Sequence, residues 1–549
     1  MFVLVSLTLS CRLCVFIEKR KKTVSVSDLI GLCSAALQEL ERSKGELKAP
    51  AARTTASGTL AVPVFPLDTA DKMGVGAMGV TAELWLDAGV TEPVREFTGD
   101  KGEGRISLVL GAGNQTFLGL VDLLDNLFLQ GFVVLFKCHE LRVGSYPFIC
   151  DLFAELIRDG YVCVLPTMTT RKSTSECLDA VDHVHITGGT ASAHGILWGN
   201  TPEEQAVNLG KGTPKVKAMT AELGNVTPHI VCPGGSWKAS ELKHHASHLA
   251  NFVAANASCN CLSPKVVLLS KTWEHHDEFV QALKEELTLQ PLWPAYYPGC
   301  EDRYRAYEKA YPSAHVIHAE PGVKPDQGGV YRAAPDNRAL PAPLPWLLVE
   351  LDGKTISDQE YALRNEAFAP CLAVVSLPEG EPESFMASAS RVCREKIWGS
   401  LVVSVIVHPE VERAHPQLID KSVAGLPYGS VVVNAAGFLG YTVEQATWGA
   451  YPGEKLEALQ SGVGQVKNIL CLKGVKQAVV RAPFICGIQA KRGQDIDPQV
   501  AKALAYVLIK PSLVTVARMV YAGLALGASR LLRGVLRLMP ASRASSIKQ

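Results

Sequence analysis

Two cysteines stand one residue apart in the segment NASCNCLSPKVVLL, residues 256–269. A thiolate is both a good nucleophile and a soft metal ligand, so Cys259 and Cys261 suit covalent catalysis or metal binding, and a free cysteine is also often buried filler. His244 and His248, four residues apart on a predicted helix, could in principle join them around zinc. The sequence lacks the tight ligand pairs of structural zinc sites, so we expect no metal there and keep a nucleophile and buried filler as the alternatives.

A carboxylate and an amide upstream could support a nucleophilic cysteine. Attack on a carbonyl carbon needs fixed hydrogen-bond donors for the developing oxyanion, and later a base that activates water. Asn114 in GAGNQ offers the donor, and Glu222 in AELGN offers the base. Each has a plainer alternative, because asparagine often caps the helix that follows it and a lone glutamate is often a surface carboxylate.

Strand-like and helix-like segments alternate around these residues. RISLVL (105–110) and FVVLFK (132–137) are typical of strands, and residues 115–130 between them have apolar side chains at helical spacing, which predicts a β-α-β unit. Further strand-like runs continue the series: YVCVLP (161–166), HVHIT (183–187), PHIVCP (228–233) and KVVLLS (265–270). The pattern predicts an α/β fold with parallel sheets covered by helices, in which ligands bind at the carboxyl ends of the strands.

The composition indicates which partners to expect. Lys and Arg number 54 and balance 54 Asp and Glu, so no overall charge favours nucleic acid, and a small neutral ligand is the default partner. The 15 cysteines are spread over 549 residues, which is typical of reduced thiols in a reducing compartment. We therefore expect a cytoplasmic protein without disulfides.

The two ends of the chain differ from its middle. Residues 1–25 open as an apolar leader, but Arg12 interrupts the run and the basic cluster follows it, unlike the order in a secretory signal. Residues 511–540 interleave arginines with apolar residues, which predicts a basic amphipathic helix. This helix could pack against a partner subunit or make peripheral contact with a membrane, but its uncharged stretches are too short to cross one.

Several of these segments occur in the order and spacing found in aldehyde dehydrogenases, and the chain resembles a divergent, substrate-unassigned branch of that superfamily. NASCNCLSP resembles the nucleophile motif N-x-G-Q-x-C-x-x-P, which implies that Cys261 is the reactive thiol. AELGN, with its glutamate 39 residues before Cys261, is similar to E-L-G-G and implies that Glu222 is the general base. Asn114 stands 23 residues before Lys137, the family's spacing between its oxyanion-hole asparagine and its cofactor-ribose lysine.

The resemblance extends to two cofactor motifs. Lys137 and Glu140 in FKCHEL match K-P-x-E, in which both residues hold the ribose on the adenine side of the cofactor. A carboxylate at this position repels a 2′-phosphate, so the match favours NAD over NADP. HITGGTASAHG (185–195) resembles F-T-G-S-T-x-x-G, which implies that Gly188 and Gly189 allow close approach of the pyrophosphate.

A further motif implies contacts at the nicotinamide end of the cofactor. NEAFAP (365–370) resembles E-E-x-F-G-P, in which Glu366 and Phe368 would hold the nicotinamide ribose and ring. Their plainer alternatives are a surface carboxylate and a core aromatic. LPYGSVVVN and WGAYPG resemble the family's closing strand and the loop that follows, so the resemblance covers about residues 55–470.

The chain departs from the family pattern around the oxyanion hole and the cofactor loops. P-W-N-F-P reads AGNQT, and G-Q-x-C reads SCNC. Asn365 replaces the first glutamate of E-E-x-F-G-P, and Ala193 stands at the last glycine of the pyrophosphate loop. A catalytically silent NAD-binding homologue therefore stays an alternative.

The resemblance implies a Rossmann-type NAD-binding domain, an α/β catalytic domain and a C-terminal extension for oligomerisation. We place them at residues 26–221, 222–455 and 456–549, and we expect a homodimer or homotetramer. The Pro-rich segment 338–346 is the best local linker.

The implied reaction is the NAD-dependent oxidation of an aldehyde to a carboxylic acid through a cysteine thiohemiacetal and then a thioester. The Asn114 amide and the Cys261 backbone N–H would stabilise the oxyanion, and Glu222 would activate the water that releases the acid. A coenzyme A-acylating aldehyde dehydrogenase is the alternative within catalysis, although that reaction needs no water-activating glutamate.

Overall fold

A computed structural model of the chain describes residues 51–67, 71–72, 75–95, 104–115, 117–165, 171–323 and 341–486. The apolar leader, the basic C-terminal stretch and residues 338–340 of the Pro-rich segment lie outside these residues. Across the described part of the chain, no helix is both long enough and apolar enough to cross a membrane.

The strands within the described residues include every strand predicted above. They are β1 Arg53–Thr54, β2 Leu60–Phe65, β3 Thr81–Leu86, β4 Ile106–Leu110, β5 Val133–Lys137, β6 Val162–Leu165, β7 His183–Thr187, β8 Met219–Glu222, β9 Pro228–Val231, β10 Val266–Ser270, β11 His315–Ile317, β12 Trp346–Asp352, β13 Cys371–Leu377, β14 Val402–Ile406, β15 Ser430–Val433, β16 Trp448–Gly449, β17 Gly462–Val463, β18 Gln465–Val466 and β19 Val475–Arg481.

Helices occupy most of the connections between these strands. The α-helices are Leu118–Leu124, Tyr146–Leu152, Ala154–Arg158, Arg171–Leu178, Thr190–Trp198, Pro202–Lys211, Ala239–Ala254, His276–Thr288, Cys300–Ala310, Tyr361–Arg364, Pro382–Glu395, Pro409–Ala414, Leu418–Gly425 and Phe438–Thr442. Short 3₁₀ helices span Val75–Met78, Glu140–Ser145, Ala255–Ser258 and Leu456–Ala458, and a π-helix spans Asp125–Leu129.

A six-stranded sheet has the order β17-β8-β7-β4-β5-β6. Strands β4 to β8 run parallel, and β17 joins the edge antiparallel. The predicted β-α-β unit is confirmed, because β4 and β5 pair in parallel and the helix Leu118–Leu124 connects them. That helix continues directly into the π-helix Asp125–Leu129, so the predicted helical segment is real but changes from α to π winding after about two turns.

An eleven-stranded sheet has the order β1-β2-β3-β19-β15-β14-β9-β10-β13-β12-β11. Its strands from β19 to β12 are parallel, and β1, β2, β3 and β11 are antiparallel additions at the edges. Every residue of β10 and β14 is buried, as continuous apolar runs such as VVLLS and VVSVI require when helices cover both faces of a sheet. The predicted α/β fold with parallel sheets is therefore confirmed.

The two sheets draw on segments that are far apart in the sequence. Strand β19 pairs with β3 near the start of the described chain, and β17 pairs with β8 so that Gly462 lies opposite Glu222. All the described residues fall within one compact unit. The domain limits at residues 221 and 455 stay a prediction.

Candidate active site

The loop before Cys261 has an unusual backbone. The helix Ala239–Ala254 ends, and Asn256, Ala257 and Ser258 follow with φ angles of 56°, 54° and 61°. Each left-handed residue other than glycine costs roughly 1–2 kcal/mol, so three in succession persist only if their surroundings hold them. This turn reverses the chain and presents the two cysteines beside the following strand β10.

The side chain of Asn256 holds the turn from inside. Its Nδ2 donates to the backbone oxygens of Asn114, at 3.2 Å, and Cys259, at 3.1 Å. Its Oδ1 accepts from the hydroxyl of Tyr296 at 2.9 Å. Asparagine also tolerates a positive φ better than most residues, so this residue suits both its backbone and its contacts. We did not predict a role for Asn256, and its position in the motif was the only sequence signal.

A buried lysine also stabilises this turn. Lys265, which begins the run into β10, donates from Nζ to the backbone oxygen of Ser258 at 2.6 Å and to its hydroxyl at 3.0 Å. Burial lowers the pKa of Lys265, and the carboxylate of Glu366 opposes that shift. Lys265 was also missed, although a lysine at the start of an apolar strand was a visible signal that it pairs inside the protein.

Cys261 and Glu222 face each other across the cleft. The Cys261 Sγ donates to Glu222 Oε1 at 3.4 Å, and Thr227 Oγ1 donates to the Cys261 backbone oxygen at 2.6 Å. Burial and the nearby Asp122 raise the pKa of Glu222 to about 7. Burial and Glu222 hold the pKa of the Cys261 thiol well above its usual value. The thiol is therefore protonated near neutral pH and has a carboxylate of suitable basicity in contact with it.

Asn114 lies at the carboxyl end of β4 and donates from Nδ2 to the backbone oxygen of Cys259 at 3.1 Å. The helix Leu118–Leu124 has Phe117 at its N-cap, without a side-chain hydrogen bond, so Asn114 does not cap that helix. Arg142 fixes the Asn114 loop by donating to the backbone oxygens of Gly113 at 2.8 Å and Asn114 at 2.6 Å. The side chain of Asn114 is thereby aimed at the cysteine loop.

The glycine pair lies between β7 and the helix Thr190–Trp198. A Cβ atom at Gly189 would meet no heavy atom within 4 Å, so its backbone borders open space. The N-terminal end of a helix attracts phosphate groups through its unpaired N–H groups and its dipole. Ala193, the departure from the last glycine of the motif, is fully buried within this helix.

Glu366 is fixed by the backbone after Glu222. The Asn225 N–H donates to Glu366 Oε1 at 3.2 Å, and a Cβ atom at Gly224 would lie only 2.4 Å from Glu366 Oε2. Glycine at position 224 is therefore required for the carboxylate to reach this place. Burial raises the pKa of Glu366 to about 7, and Lys265 opposes the shift.

Phe368 has a φ of 42°, and two residues that we did not predict surround it. Arg303 donates from Nη2 to the Phe368 backbone oxygen at 3.4 Å and from Nε to the Ala367 oxygen at 3.0 Å. The ring of Tyr297 packs edge-on against the Phe368 ring, with the centroids 4.8 Å apart. Their contacts are long-range, so neither had a local sequence signal.

One cleft collects seven of the nine predicted site residues. Tyr297 and Arg303 also line it. The predicted residues in its lining are Asn114, Gly188, Gly189, Glu222, Cys261, Glu366 and Phe368. Lys137 and Glu140 are not among the lining residues. Lys137 is the last residue of β5, opposite Leu110 of β4, and the exposed Glu140 begins the 3₁₀ helix Glu140–Ser145 just after β5. Both therefore lie at the carboxyl end of the strand beside β4, which Asn114 follows.

The second cysteine and His248 are buried in the core. Cys259 is fully buried, and its Sγ donates to the Phe368 backbone oxygen at 3.4 Å. His248 Nε2 accepts from the Ala436 N–H at 3.2 Å. Among the described residues, no group of three or more His, Cys, Asp or Glu side chains is placed to hold a metal ion. Cys259 is thus the buried filler of the pair, and Cys261 is the thiol in the cleft.

No protein-family model and no curated protein matches the chain. Solved structures do. The aldehyde dehydrogenase KauB from Pseudomonas aeruginosa has a TM-score of 0.53 and 17% identity, over 88% of this chain and 84% of that one. An NAD-dependent aldehyde dehydrogenase from Sinorhizobium meliloti has a TM-score of 0.53 and 15% identity, over 87% and 81%. An NADP-dependent glyceraldehyde-3-phosphate dehydrogenase from Bacillus halodurans has a TM-score of 0.52 and 15% identity, over 88% and 87%. The chain has the fold of the aldehyde dehydrogenases.

Proposed function

We propose that the chain belongs to the aldehyde dehydrogenase superfamily and oxidises an aldehyde to a carboxylic acid with NAD. The observation that carries this proposal is the contact between the Cys261 thiol and the Glu222 carboxylate in a cleft that also contains Asn114 and the Gly188–Gly189 loop. A thiol, a base, an amide donor and a phosphate-binding loop in one cleft are the groups that this reaction needs.

The first step is attack on the aldehyde carbon. Glu222 takes the proton of the Cys261 thiol, and Sγ forms a bond to the carbonyl carbon, whose oxygen becomes negatively charged. One hydrogen of the Asn114 amide is occupied by the Cys259 oxygen, and the second is available for this oxyanion together with the Cys261 N–H. Each such donor typically lowers the barrier by about 3 kcal/mol.

A bound NAD would accept the hydride that leaves the tetrahedral carbon. Gly188 and Gly189 would lie against its pyrophosphate, Glu366 against the nicotinamide ribose and Phe368 against the ring. The open space at the Gly189 backbone fits such a ligand. Lys137 and Glu140 would hold the adenine-side ribose, and the carboxylate of Glu140 favours a free 2′-hydroxyl over a 2′-phosphate.

Release of the acid needs water at the same carbon. Glu222 first releases to solvent the proton that it took from the thiol. A water molecule then attacks the thioester left on Cys261 and passes a proton to Glu222, the C–S bond breaks, and the leaving thiolate regains that proton from Glu222. A pKa of about 7 suits Glu222 to both proton transfers near neutral pH. The direct contact of Glu222 with Cys261 favours this hydrolytic route over acyl transfer to coenzyme A.

The experiment combines a substrate panel with one variant. The wild-type protein is mixed with aliphatic, aromatic and acidic aldehydes, each with NAD or NADP, and NADH or NADPH is followed by absorbance. Glu222→Gln is then mixed rapidly with the best substrate. We expect a burst of reduced cofactor that is slower or smaller than one per Cys261, because the thiol must lose its proton without Glu222, then a much slower steady rate, and an acyl adduct on Cys261 in the mass spectrum.

Two results would contradict parts of this proposal. If no aldehyde yields reduced cofactor and Cys261 acquires no adduct, the chain is a silent homologue. If the wild type releases product only when coenzyme A is present, or Glu222→Gln turns over at the wild-type rate, the acylating reaction replaces the hydrolytic one. Cys261→Ala is the matched control, because it should bind NAD and give neither burst nor adduct.

Assembly and location remain proposals of the same kind. We infer a homodimer or homotetramer acting on a small aldehyde in the cytoplasm, with the basic stretch 511–540 as the segment for subunit packing or peripheral membrane contact. Sedimentation of the full chain, with and without anionic vesicles, separates these alternatives.

A further inference from the structure

A row of hydrogen-bonded polar side chains lies on one face of β7, next to Glu222. Thr187 lines the cleft and donates from Oγ1 to Asp122 Oδ2 at 2.8 Å. His185, two residues earlier on the same strand face, places Nε2 3.4 Å from Asp122 Oδ1. Both side chains of this pair are 2% exposed. The proposed reaction gives neither residue a role.

The donor and acceptor of each hydrogen bond in this row of side chains can be assigned in turn, starting from Asn126. Asn126 Nδ2 donates to the Asp122 backbone oxygen at 2.9 Å, so Asn126 Oδ1 faces Ser107 and accepts from its hydroxyl at 2.8 Å. The Ser107 hydrogen is then used. Its oxygen, 2.9 Å from His183 Nδ1, must accept from that nitrogen.

His183 is neutral, which fixes the next two bonds. Burial and the neighbouring His185 lower the pKa of His183 to about 4, so its ring carries one hydrogen, on Nδ1. Its Nε2 therefore accepts from the Thr220 hydroxyl at 3.2 Å. The Thr220 oxygen must then accept from His185 Nδ1 at 2.7 Å.

His185 consequently needs a second proton. Its Nδ1 hydrogen is directed at Thr220, and the Thr187 hydrogen is directed at Asp122 Oδ2. If His185 were neutral, the lone pair of Nε2 would face Asp122 Oδ1 in a buried site, which is strongly unfavourable. Burial lowers the pKa of His185, but the carboxylates of Asp122, Asp125 and Glu222 together raise it, so the net shift is upward.

We propose that His185 is a positioning residue for Glu222: as an imidazolium it balances Asp122, whose carboxylate would otherwise stand unpaired beside the base. The inference rests on the proposed function. In the sheet, Thr187 pairs with Glu222 and His185 with Thr220, so all four side chains share one face. Asp122 reaches that face from the helix Leu118–Leu124.

Other charged and titratable groups face this pair and Glu222. Cys261 and Lys467 act on Glu222, in addition to Asp122 and His185. Asp125 and Glu222 act on His185 together with Asp122, and His183 is its neutral neighbour. None of these others pairs directly with Asp122, so His185 is the cation that the Asp122 carboxylate depends on.

Removing each member of the pair has different consequences. His185→Gln leaves the Asp122 charge unbalanced, which makes ionisation of Glu222 harder and moves the acid limb of thioester hydrolysis to higher pH. Asp122→Asn removes the charge that keeps His185 protonated, so position 122 and His185 are both neutral. The acid limb of thioester hydrolysis should then stay near its wild-type pH. Asp122→Asn combined with His185→Gln should likewise restore the limb that His185→Gln alone displaces.

The charge on His185 is tested first, without reference to activity. The full chain is labelled with ¹³C and ¹⁵N in histidine, and the ring signals are followed from pH 6 to pH 9. We expect one imidazolium spectrum that persists at pH 8, is absent in His185→Gln and remains in His248→Gln, a buried neutral histidine elsewhere. A His185 ring that is neutral at pH 7 overturns the proposal even if the enzyme oxidises aldehydes.

The effect on the base is tested by the hydrolysis rate of the acyl intermediate as a function of pH. In His185→Gln we expect hydrolysis about tenfold slower at pH 6.5 and an unchanged rate at pH 9. A higher pKa of Glu222 slows the reaction only where Glu222 is protonated, whereas general damage to the site would slow it at both pH values. Adding Asp122→Asn to His185→Gln should restore the rate at pH 6.5. If His185→Gln were slow because it misfolds, a second substitution would not restore that rate. An unshifted limb, or a loss that the second substitution does not reverse, overturns the proposal. If no aldehyde is oxidised, the proposed function fails while the ring signals still decide the charge on His185.

Discussion

Cys261 Sγ lies 3.4 Å from Glu222 Oε1, and this contact joins two segments that reach the cleft from different sheets. Glu222 ends a strand of the six-stranded sheet, whereas Cys261 precedes β10 of the eleven-stranded sheet. Cys259, two residues earlier, turns away and donates to the Phe368 backbone oxygen. The two cysteines of the motif thus have separate partners and should respond differently to substitution.

Cys261→Ala should abolish reduction of NAD by an aldehyde, while Cys259→Ala keeps most of that activity. Cys259 is fully buried, so its truncation removes packing and should lower the free energy of unfolding by roughly 1 kcal/mol. Urea unfolding and steady-state rates for both variants measure the two effects. Equal loss of activity in variants of unchanged stability would refute the separate roles.

Glu222→Gln should change how stability depends on pH. Burial raises the folded-state pKa of Glu222 to about 7 from an ordinary value of 4.5, so its favourable contribution is fully present below pH 4.5 and is lost as pH rises through 7. Between pH 5.5 and pH 8.5, the free energy of unfolding of the wild type should therefore fall by about 2 kcal/mol relative to that of the variant. Urea unfolding of both proteins at the two pH values measures it. A difference that is constant with pH would show that Glu222 ionises normally.

Glu140→Ser should shift the cofactor preference toward NADP. Loss of the exposed carboxylate removes its repulsion of a 2′-phosphate, so the ratio of kcat/KM for NAD to that for NADP should fall by tenfold or more. Glu203→Ser, which removes an exposed carboxylate from the helix Pro202–Lys211, is the control and should leave the ratio unchanged. A wild type that prefers NADP would contradict the argument from Glu140.

Gly224→Ala should weaken NAD binding without removing the reactive thiol. The new Cβ would stand 2.4 Å from Glu366 Oε2 and displace that carboxylate, so we expect the Kd for NAD to rise about tenfold. Calorimetry measures the binding, and alkylation of Cys261 by iodoacetamide should proceed as in the wild type.

The control for this variant is Gly210→Ala. Its Cβ would meet no heavy atom within 4 Å in a helix, so it should raise stability by roughly 0.5–1 kcal/mol and leave binding unchanged. NAD affinity that is identical in Gly224→Ala and the wild type would mean that Glu366 does not contact the cofactor.

The parallel sheets could be predicted because their strands are short runs rich in β-branched and apolar residues. KVVLLS and HVHIT correspond to β10 and β7, with boundaries within one residue. Parallel strands end at the same edge, so a residue just beyond β4, such as Asn114, could be expected there, whereas β8 was not predicted and Glu222 was identified only by its motif. Asn114 and Glu222 both line the cleft.

The rest depended on contacts that leave no local pattern. Strands β2 and β3 belong to the larger sheet only because β19 lies beside β3, some 390 residues later in the chain. Lys265, at the start of an apolar strand, indicated a buried partner but not which one, and that partner is the Ser258 backbone oxygen in the left-handed turn. His185 fell within a correctly predicted strand, but the face on which it lies acquires meaning only when Asp122 packs against it.

Strands β17 and β19, which are synthesised near the end of the chain, also limit how early the two sheets can fold during translation. The eleven-stranded sheet cannot place β3 until β19 is synthesised, and the edge beside Glu222 stays open until Gly462–Val463 emerges. The first strands must therefore wait, with their apolar faces uncovered, through most of translation, which makes them natural targets for chaperones. A nascent chain halted before residue 475 should accordingly lack protease resistance in residues 60–86, although their own sequence is complete.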